Sequence, residues 1–274
     1  MSVGWNPDDP ATVLVTGCSS GIGLALCGAL HARGHRVIAT SRKSTDRLAA
    51  VPASRHLELD VTDDASVAAA AAAAGPIDVL VNNAGVTAWA PLEQLPIETA
   101  RRVFETNVWG ALRMCQAFLP SMRAAGRGRV VNVSSAALRG YPLLGLYAAS
   151  KTALETLSES MRLELALFGI DVVLAEPAGV VSSFGRNRIP VTVADPAYRD
   201  LTERSYRYLQ SLRGTTLAAE EAATVIAGLV ELDDPPLRVP VGAEARRITA
   251  ERHTVSDRDF EESVRSRLCV APQE

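Results

Sequence analysis

The chain has 274 residues, of which 47% are hydrophobic and 22% charged, and this length allows one large domain or two small ones with a sizeable core. The formal net charge of −3 argues against a nucleic-acid partner, because nucleic-acid-binding surfaces are basic. The four cysteines show no paired or metal-binding spacing, so we expect no metal site. Neither a signal segment nor an apolar run of about 18 residues is seen, so we expect a cytoplasmic protein without a membrane span.

Short apolar segments rich in β-branched residues alternate with helical patterns along the chain. The predicted strands are Thr12–Thr16, Arg36–Thr40, His56–Leu59, Val79–Val81, Arg129–Val133, Asp171–Ala175 and a short last strand at Val239 and Val241. The predicted helices lie at about 23–33, 66–74, 96–125, 147–168 and 218–232, with a bend or restart near Pro120 and a less regular region at 180–216. This alternation is typical of a parallel sheet covered by helices on both faces.

The absence of an internal repeat or a linker predicts a single domain over residues 1–274. We expect a doubly wound α/β domain with a parallel sheet of about seven strands. An N-terminal tail at 1–10 and a charged C-terminal surface segment at 246–274 flank it.

A glycine-rich turn joins the first strand to its helix, with the spacing TGxxxGxG over Thr16–Gly23. Glycines permit a tight turn and a close backbone approach to a pyrophosphate, and the helix N-terminus offers free N–H groups to the phosphates. A glycine-rich loop alone is a weak signal, but its place between a first strand and a helix is the context that dinucleotide binding requires. The predicted cofactor-binding residues of this loop are Gly17, Ser19, Ser20, Gly21, Ile22 and Gly23.

The end of the second strand predicts which nicotinamide cofactor binds. In dinucleotide folds an acid at this place accepts a hydrogen bond from the ribose 2′-OH and favours NAD. Here the residues are Thr40-Ser41-Arg42-Lys43, without a carboxylate. Ser41 can donate to a phosphate oxygen, and Arg42 can pair with a 2′-phosphate or stack on adenine. We predict NADP(H) in preference to NAD(H); the alternative is a solvated basic turn.

Tyr147 and Lys151 lie four residues apart on a predicted helix, so their side chains project from one face. A tyrosine is a weak base at neutral pH because its usual pKa is about 10. We expect the ammonium group of Lys151, and the positive charge of an oxidised nicotinamide, to lower the pKa of Tyr147. Together with Ser134-Ser135 upstream, this pair predicts proton transfer to or from an alcohol oxygen.

Five motifs occur in one order along the chain: the loop Thr16–Gly23, Asp60-Val61, Asn82-Asn83-Ala84-Gly85, Ser134-Ser135 and Tyr147-x-x-x-Lys151. With them, the stretch from about Val13 to about Phe184 resembles the short-chain dehydrogenase/reductase family. The resemblance implies an NAD(P)-dependent oxidoreductase that interconverts an alcohol and a ketone or aldehyde. It says little about the substrate.

The resemblance also implies roles for single residues. It implies that Asp60 and Val61 lie beside the adenine, that Lys151 binds the nicotinamide ribose, and that Asn107 holds a water linking Lys151 to solvent. The remaining cofactor-binding residues that it implies are Asn83, Ala84, Gly85, Pro177, Val180 and Ser182. Two alternatives stay open: Asp60 caps the following helix, and Asn107 faces solvent. At Ala178 the chain departs from the usual glycine, which puts the local turn in doubt unless Gly179 compensates.

The identity of the catalytic serine stays open between two neighbours. In the family the second serine of the pair usually precedes the tyrosine by 13 residues; Ser134 has that spacing, whereas Ser135 has the motif position at 12. We favour Ser135, because a loop tolerates a deletion more readily than a strand tolerates a register shift.

Substrate contacts are expected at the carboxyl edge of the sheet. The candidates are Trp89, Leu138, Tyr141, Leu143, Phe184 and the stretch Val191–Leu212 with Tyr198, Tyr206 and Tyr208, part of a region at 182–216 that resembles the family's substrate lid. These residues favour a mainly apolar alcohol or carbonyl compound, although each could belong to the core. The resemblance further implies a homodimer or homotetramer formed through the helices at 96–125 and 147–168.

We therefore predict a carbonyl reductase in which Asn107, Ser135, Tyr147 and Lys151 are catalytic. One alternative is a sugar-nucleotide epimerase or dehydratase, which usually has TGxxGxxG spacing and a longer substrate domain. Another is a non-catalytic NADP-binding sensor, since the fold alone does not imply catalysis. A sensor has no need of a complete set of proton-transfer residues.

Overall fold

A central parallel sheet is the framework of the molecule. The structure, a computed structural model, describes residues 10–43, 53, 55–136, 140–181, 185, 188–211, 217–252 and 254–268. Its strands are β1 (Thr12–Val15), β2 (Arg36–Ser41), β3 (Arg55–Glu58), β4 (Val79–Asn82), β5 (Gly128–Val133), β6 (Ile170–Pro177), β7 (Val180–Val181), β8 (Leu217–Ala218) and β9 (Arg238–Val241). Seven of them form the sheet in the order β3-β2-β1-β4-β5-β6-β9, and β7 pairs with β8 separately. The predicted doubly wound α/β fold is confirmed.

Helices cover both faces of this sheet. They are α1 (Gly21–Ala32), α2 (Asp64–Ala74), α3 (Ile97–Phe104), α4 (Gly110–Ala125), α5 (Gly145–Ala166), α6 (Arg199–Ser211), α7 (Ala219–Glu231), α8 (Ala243–Arg252) and α9 (Asp257–Arg267). One core packs α1 and α7 against the sheet, and the other packs α2, α4 and α5 against the opposite face. Side chains alternate between the two cores, so that Val13 and Val15 face one and Leu14 the other.

Local sequence explains the ends of several elements. Asp63 caps α2, because its carboxylate accepts hydrogen bonds from the backbone N–H groups of Ala65 at 2.8 Å and Ser66 at 3.2 Å. Gly75 ends this alanine-rich helix with a φ of 70°. The alanine-rich stretch is therefore a helix, as predicted, and its buried Val67 and Ala70 face the core.

Two predicted elements differ from the structure. The helix expected over 96–125 consists of α3, a π-helical turn at Glu105–Trp109 and α4, whereas Pro120 lies inside α4 without ending it. The region 180–216, expected to be less regular, contains α6 and a short 3₁₀ turn at Pro196–Tyr198, where Asp195 accepts a hydrogen bond from the Ala197 N–H. Among the described helices, none combines the length and apolar character that crossing a bilayer requires.

The strand order reverses between β1 and β4, which are neighbours in the sheet. Loops that leave the carboxyl ends of these two strands run to opposite sides, so a crevice opens between them. The crevice is where the glycine-rich turn, the end of β4 and the end of β5 meet.

Candidate active site

The glycine-rich turn after β1 packs directly on the residues that follow β4. A Cβ atom on Gly23 would lie 2.5 Å from both the Gly17 carbonyl oxygen and the Asn83 Nδ2 atom, and one on Gly17 would lie 2.9 Å from the Ala84 Cα atom. Gly17 and Gly21 have φ angles of 74° and 59°, which a residue with a side chain adopts only with strain. Glycine is therefore required at these positions by contact and by conformation.

Hydrogen bonds fix this turn to the end of β4. The Asn83 Nδ2 group donates to the carbonyl oxygens of Thr16 at 2.8 Å and Gly17 at 3.3 Å. The Thr16 hydroxyl oxygen accepts from the backbone N–H groups of Asn83 at 3.0 Å and Ala84 at 2.9 Å. Asn83 and Ala84 thus hold the shape of the turn.

The N-terminus of α1 follows the glycine-rich turn directly. Ser20, the residue before the helix, is extended, its side chain makes no capping bond within the described structure, and the first turn holds no acid. Ser19 is exposed, and Ile22 packs against the core beneath the helix. A helix N-terminus with this surrounding is suited to a phosphate anion, so these residues fit the pyrophosphate of a dinucleotide.

Two exposed cationic side chains, Arg42 and Lys43, follow the end of β2. Neither forms an ion pair with another residue of the described ranges. Ser41 is buried, and its hydroxyl donates to the Lys43 carbonyl oxygen at 2.5 Å, which shapes the turn. This end of the crevice is positively charged and fits an additional phosphate group.

Asp60 and Val61 lie after β3, beside the start of α4. One oxygen of the Asp60 carboxylate accepts from the Thr62 N–H at 2.9 Å and the Thr62 hydroxyl at 2.7 Å. Asp63, rather than Asp60, caps α2, so the alternative role for Asp60 is wrong. The Val61 side chain packs against Gly110, where a Cβ atom would lie 2.7 Å from Val61 Cγ2.

Ser135, Tyr147 and Lys151 converge at the carboxyl end of β5. The side chain of Ser135 is hydrogen-bonded to the Tyr147 phenol. The Lys151 ammonium donates to the Val133 carbonyl oxygen at 2.7 Å and lies 6.0 Å from the centre of the Tyr147 ring. Lys151 is 4% exposed, so its charge acts in a poorly solvated place.

The two neighbouring serines point in different directions. Ser134 donates to the Glu155 Oε1 atom at 2.7 Å and is 2% exposed, on the side away from Tyr147. Successive residues of an extended chain face opposite sides, which accounts for the difference. Ser135 is thus the serine in contact with the phenol.

Burial dominates the titration of this site. It raises the pKa of Tyr147 to about 12, although the Ser135 hydrogen bond acts in the opposite direction. It lowers the pKa of Lys151 to about 8, against the negative charge of Glu155. In the chain by itself, burial therefore outweighs the lowering of the Tyr147 pKa that the sequence leads us to expect from Lys151.

Asn107 lies in the π-helical turn and is 1% exposed, so the solvent-facing alternative is wrong. Its Oδ1 atom accepts from the Val86 N–H at 2.8 Å, and its Nδ2 group donates to the Val86 carbonyl at 2.9 Å and to the Ser150 hydroxyl at 3.0 Å. A Cβ atom on Gly85 would lie 3.3 Å from Asn107 Oδ1 and 3.7 Å from Lys151 Nζ. Asn107 therefore ties the segment after β4 to α5, and Gly85 leaves room between Asn107 and Lys151. Such π-helical turns are frequent at functional sites.

Pro177 ends β6, and its carbonyl oxygen accepts from the Ala136 N–H at 2.9 Å. Gly179 has a φ of 55° and makes the turn that the buried Ala178 does not make, and Val180 then pairs with Leu217. Three residues with predicted roles, Ser182, Leu138 and Phe184, lie outside the described residues.

The aromatic candidates for substrate contact pack against one another in two groups. Trp89 and Tyr206 have ring centres 5.5 Å apart, and the Arg188 guanidinium lies 5.3 Å from the Trp89 ring centre. Tyr141 stacks on Tyr208 at 6.1 Å. Tyr198 instead donates to Glu93, and Leu143 is buried. Helix α6 thus brings its aromatic residues against Trp89 and Tyr141.

Sequence reasoning missed one group of residues near the site. Glu155, Glu176 and Arg252 form a buried ionic cluster behind Ser134. The position of Glu155, four residues after Lys151, was an available signal, because it shares a helix face with Lys151. The contribution of Arg252 depends on tertiary structure and has no local signal. In the described parts of the chain, no group of three or more His, Cys, Asp or Glu side chains is arranged to hold a metal ion.

Comparison with known proteins agrees with this geometry. A family model described as short chain dehydrogenase matches residues 11–190. The 3-ketodihydrosphingosine reductase of Bacteroides thetaiotaomicron is 35% identical over 240 residues, covering 85% of this chain and 88% of that protein. A short chain dehydrogenase of Burkholderia cenocepacia in complex with NADP is 30% identical with a TM-score of 0.74, covering 96% of this chain and 99% of that one. A Burkholderia phymatum short chain dehydrogenase/reductase in complex with NAD is 25% identical with a TM-score of 0.77, covering 94% and 97%. The chain therefore belongs to the short-chain dehydrogenase/reductase family and is an oxidoreductase that acts on CH–OH groups with NAD or NADP.

Proposed function

We propose that the chain is an NADP(H)-dependent carbonyl reductase for a mainly apolar substrate, with Tyr147 as the general acid–base group. The observation that supports this most directly is the contact of Ser135 with the Tyr147 phenol, beside the buried ammonium group of Lys151. Asn107 holds the segment around Gly85 next to Lys151 and completes the catalytic set.

The bound nicotinamide supplies the hydride in reduction and accepts it in oxidation. In reduction, the Tyr147 hydroxyl donates a proton to the substrate oxygen, and Ser135 hydrogen-bonds that oxygen as its charge develops. A pKa of about 12 keeps Tyr147 protonated at neutral pH, which is the state that proton donation needs. Lys151 stabilises the phenolate that remains, as long as its ammonium group is charged.

Lys151 gives the proposed reaction its pH dependence. Its pKa of about 8 leaves the ammonium group mostly charged at neutral pH. As the pH rises through about 8, Lys151 loses its proton and no longer stabilises the phenolate. Reduction is therefore expected to slow on the alkaline side.

The cofactor is held along the crevice by residues from several loops. Arg42 would pair with the 2′-phosphate, and Ser41 would hold the turn that presents Arg42, since its hydroxyl donates to the Lys43 carbonyl oxygen. Asp60 and Val61 would lie beside the adenine, and Lys151 and Tyr147 would bind the nicotinamide ribose. The other residues proposed to contact the cofactor are Gly17, Ser19, Ser20, Gly21, Ile22, Gly23, Asn83, Ala84, Gly85, Pro177, Val180 and Ser182. The preference for NADP(H) is supported by the missing acid at the end of β2 and by the exposed cations there.

A mainly apolar ketone or aldehyde is supported by the aromatic candidates for substrate contact. Trp89 packs with Tyr206, and Tyr141 with Tyr208, which concentrates apolar ring surface around these positions. The similar protein from Bacteroides thetaiotaomicron is named for a keto compound, 3-ketodihydrosphingosine.

A homodimer or homotetramer is supported by exposed apolar side chains along α3 and α5. Ile97 is 67% exposed and Leu163 79%, and both lie on the helices through which we propose that subunits pack. Sedimentation at micromolar concentration would detect this association.

The function is tested by following NADPH and NADH oxidation against a panel of hydrophobic ketones and aldehydes. We expect turnover of at least one member, with a higher kcat/KM for NADPH than for NADH. A protein that binds NADPH but reduces no member of a broad panel would favour a non-catalytic sensor. Equal use of the two cofactors would contradict the assignment of Arg42 and Ser41.

A further inference from the structure

A buried pair of carboxylates lies behind the catalytic residues. Glu155 of α5 is 4% exposed and Glu176 of β6 is 1% exposed, and one oxygen of each faces the same nitrogen, Arg252 Nη1. Two carboxylates held close together repel one another, which favours the protonated form of one of them. Burial is the main cause that raises the pKa of Glu155, to about 7, and the neighbouring Glu176 acts in the same direction.

Two arginines from the C-terminal part of the chain face this pair. The Arg252 Nη1 atom lies 3.2 Å from Glu176 Oε1 and 3.5 Å from Glu155 Oε2. The Arg238 Nε atom lies 3.6 Å from Glu176 Oε1 and 3.5 Å from Glu155 Oε2, and Arg238 also pairs with Glu159 near the surface. The cations offset the desolvation of the carboxylates, so the cluster can stay buried.

The cluster is attached to both chain neighbours of Ser135. Glu155 accepts the hydrogen bond of the Ser134 hydroxyl at 2.7 Å, and the Arg252 Nη2 atom donates to the Ala136 carbonyl oxygen at 3.0 Å. The backbone on either side is also fixed, since Ser134 N–H donates to Ala175 at 2.8 Å and Ala136 N–H donates to Pro177 at 2.9 Å. The cluster therefore holds atoms of the residues on both sides of Ser135.

The cluster also acts on Lys151 through charge. Glu155 follows Lys151 by one helical turn, and its negative charge raises the pKa of Lys151 against the effect of burial. The groups that face Glu155 are Glu176 from β6, Arg238 from β9, Arg252 from α8 and Lys151 from its own helix. At pH 8 the Glu155 carboxylate is mostly ionised, so its charge is present where Lys151 titrates.

We propose that Glu155, Glu176 and Arg252 are positioning residues, which fix the direction of Ser135 from both sides and hold a carboxylate one helical turn from Lys151. A role for this cluster in catalysis rests on the proposed function, in which Ser135 and Lys151 are catalytic. Arg252 lies beyond residues 11–190, the segment that the family model matches, so helix α8 would act on the catalytic centre through Ala136 and the two glutamates.

The first test needs no substrate. Lys43 and Lys151 are the only lysines of the chain, so protein labelled at the lysine ε-carbon gives two NMR signals, which a Lys43→Arg variant assigns. We expect Lys151 to titrate near pH 8, and at lower pH in Glu155→Gln. Glu164→Gln, on the same helix and exposed, where its carboxylate accepts from the Ser160 hydroxyl, is the matched control and should leave the titration unchanged. An unchanged Lys151 titration in Glu155→Gln would overturn the electrostatic role, whether or not the chain reduces a ketone.

The second test replaces the arginine and then supplies its head group. Arg252 lines a cavity of about 240 Å³ with Tyr141 and Phe260, which gives a small cation access to its position. Because a misplacement of about 1 Å can slow a reaction about a hundredfold, we expect Arg252→Ala to lower kcat about ten- to a hundredfold. Its KM and NADPH affinity should stay within a few-fold, and millimolar guanidinium should restore part of the rate.

Arg258→Ala is the control for this second test, since Arg258 forms an exposed ion pair with Glu262 on α9. Its rate should match the wild type with and without guanidinium. A wild-type kcat in Arg252→Ala, or a folded variant whose lost activity guanidinium does not restore, would overturn the positioning role. If Arg252→Ala does not fold, Arg252→Lys is measured instead, and a kcat equal to wild type would count against the proposal.

Discussion

Replacing Gly23 by alanine should damage cofactor binding through a contact that the geometry defines. The new Cβ atom would lie 2.5 Å from the Gly17 carbonyl oxygen and from Asn83 Nδ2. To reach an ordinary tight contact, the turn and α1 must separate by roughly 0.5–0.9 Å, which strains a close-packed region. Such overpacking costs about 1–3 kcal/mol, and the shift also weakens the Asn83 hydrogen bonds to Thr16 and Gly17.

If this overpacking cost destabilises the NADPH-bound state relative to the free protein, the NADPH dissociation constant rises about 5- to 150-fold. Fluorescence titration of NADPH measures it. Gly28→Ala is the matched control, because Gly28 lies on the same helix and a Cβ atom there meets nothing within 4 Å. This control should bind NADPH normally and gain up to about 1 kcal/mol of stability. A Gly23→Ala protein that binds NADPH as tightly as wild type would refute this account of the turn.

Three further predictions follow from the same geometry. Arg42→Ala should weaken NADPH binding about tenfold or more and leave NADH binding nearly unchanged, since a charge-assisted hydrogen bond contributes about 1.5–3 kcal/mol. Parallel titrations of NADPH and NADH measure the two affinities, and equal losses of affinity for both cofactors would exclude a 2′-phosphate contact. Ser135→Ala should lower kcat about a hundredfold or more, as removal of one transition-state hydrogen-bond donor does, and this loss should be larger than that in Ser134→Ala. Steady-state kinetics that show the larger loss in Ser134→Ala would make Ser134 the catalytic serine. Because the pKa of Glu155 is raised from 4.5 to about 7, its contribution to stability is present below about pH 4.5 and is lost as the pH rises through 7. The free energy of unfolding of wild type relative to Glu155→Gln should therefore fall between pH 5 and 7.5, by at most about 3 kcal/mol, and urea unfolding showing no such fall would contradict a shifted Glu155.

Local patterns predicted most of the sheet because its central strands are short apolar runs buried on both faces, whereas β3 (Arg55–Glu58) is polar and mostly exposed. Val79–Asn82 and Gly128–Val133 are fully buried, so their sequences contain the signal. The π-helical turn at Glu105–Trp109 was not predicted, since one extra residue in a helical turn changes the hydrogen bonding without changing the apolar pattern. Helix α6 was not predicted because it is mostly polar. Its aromatic residues pack against Trp89 and Tyr141, which are distant in the sequence.

The positions of the site motifs could be read from the sequence, but their electrostatics could not. The spacing of Tyr147 and Lys151 correctly places both near one another, whereas the pKa of Tyr147 depends on how completely the fold buries the phenol. The directions of Ser134 and Ser135 follow from the extended chain after β5, which a count of residues to Tyr147 does not reveal. Arg252 contacts Glu176 from 76 residues away, so only the fold brings them together.

The central claim, that Tyr147 exchanges the proton with the substrate oxygen, is tested most directly by Tyr147→Phe. The measurement is the rate of NADPH oxidation with a ketone that the wild type reduces, together with the NADPH dissociation constant of each protein. We predict that turnover is abolished while NADPH binding stays within a few-fold of wild type. A Tyr147→Phe protein that keeps the wild-type rate would contradict the assignment and require another proton donor.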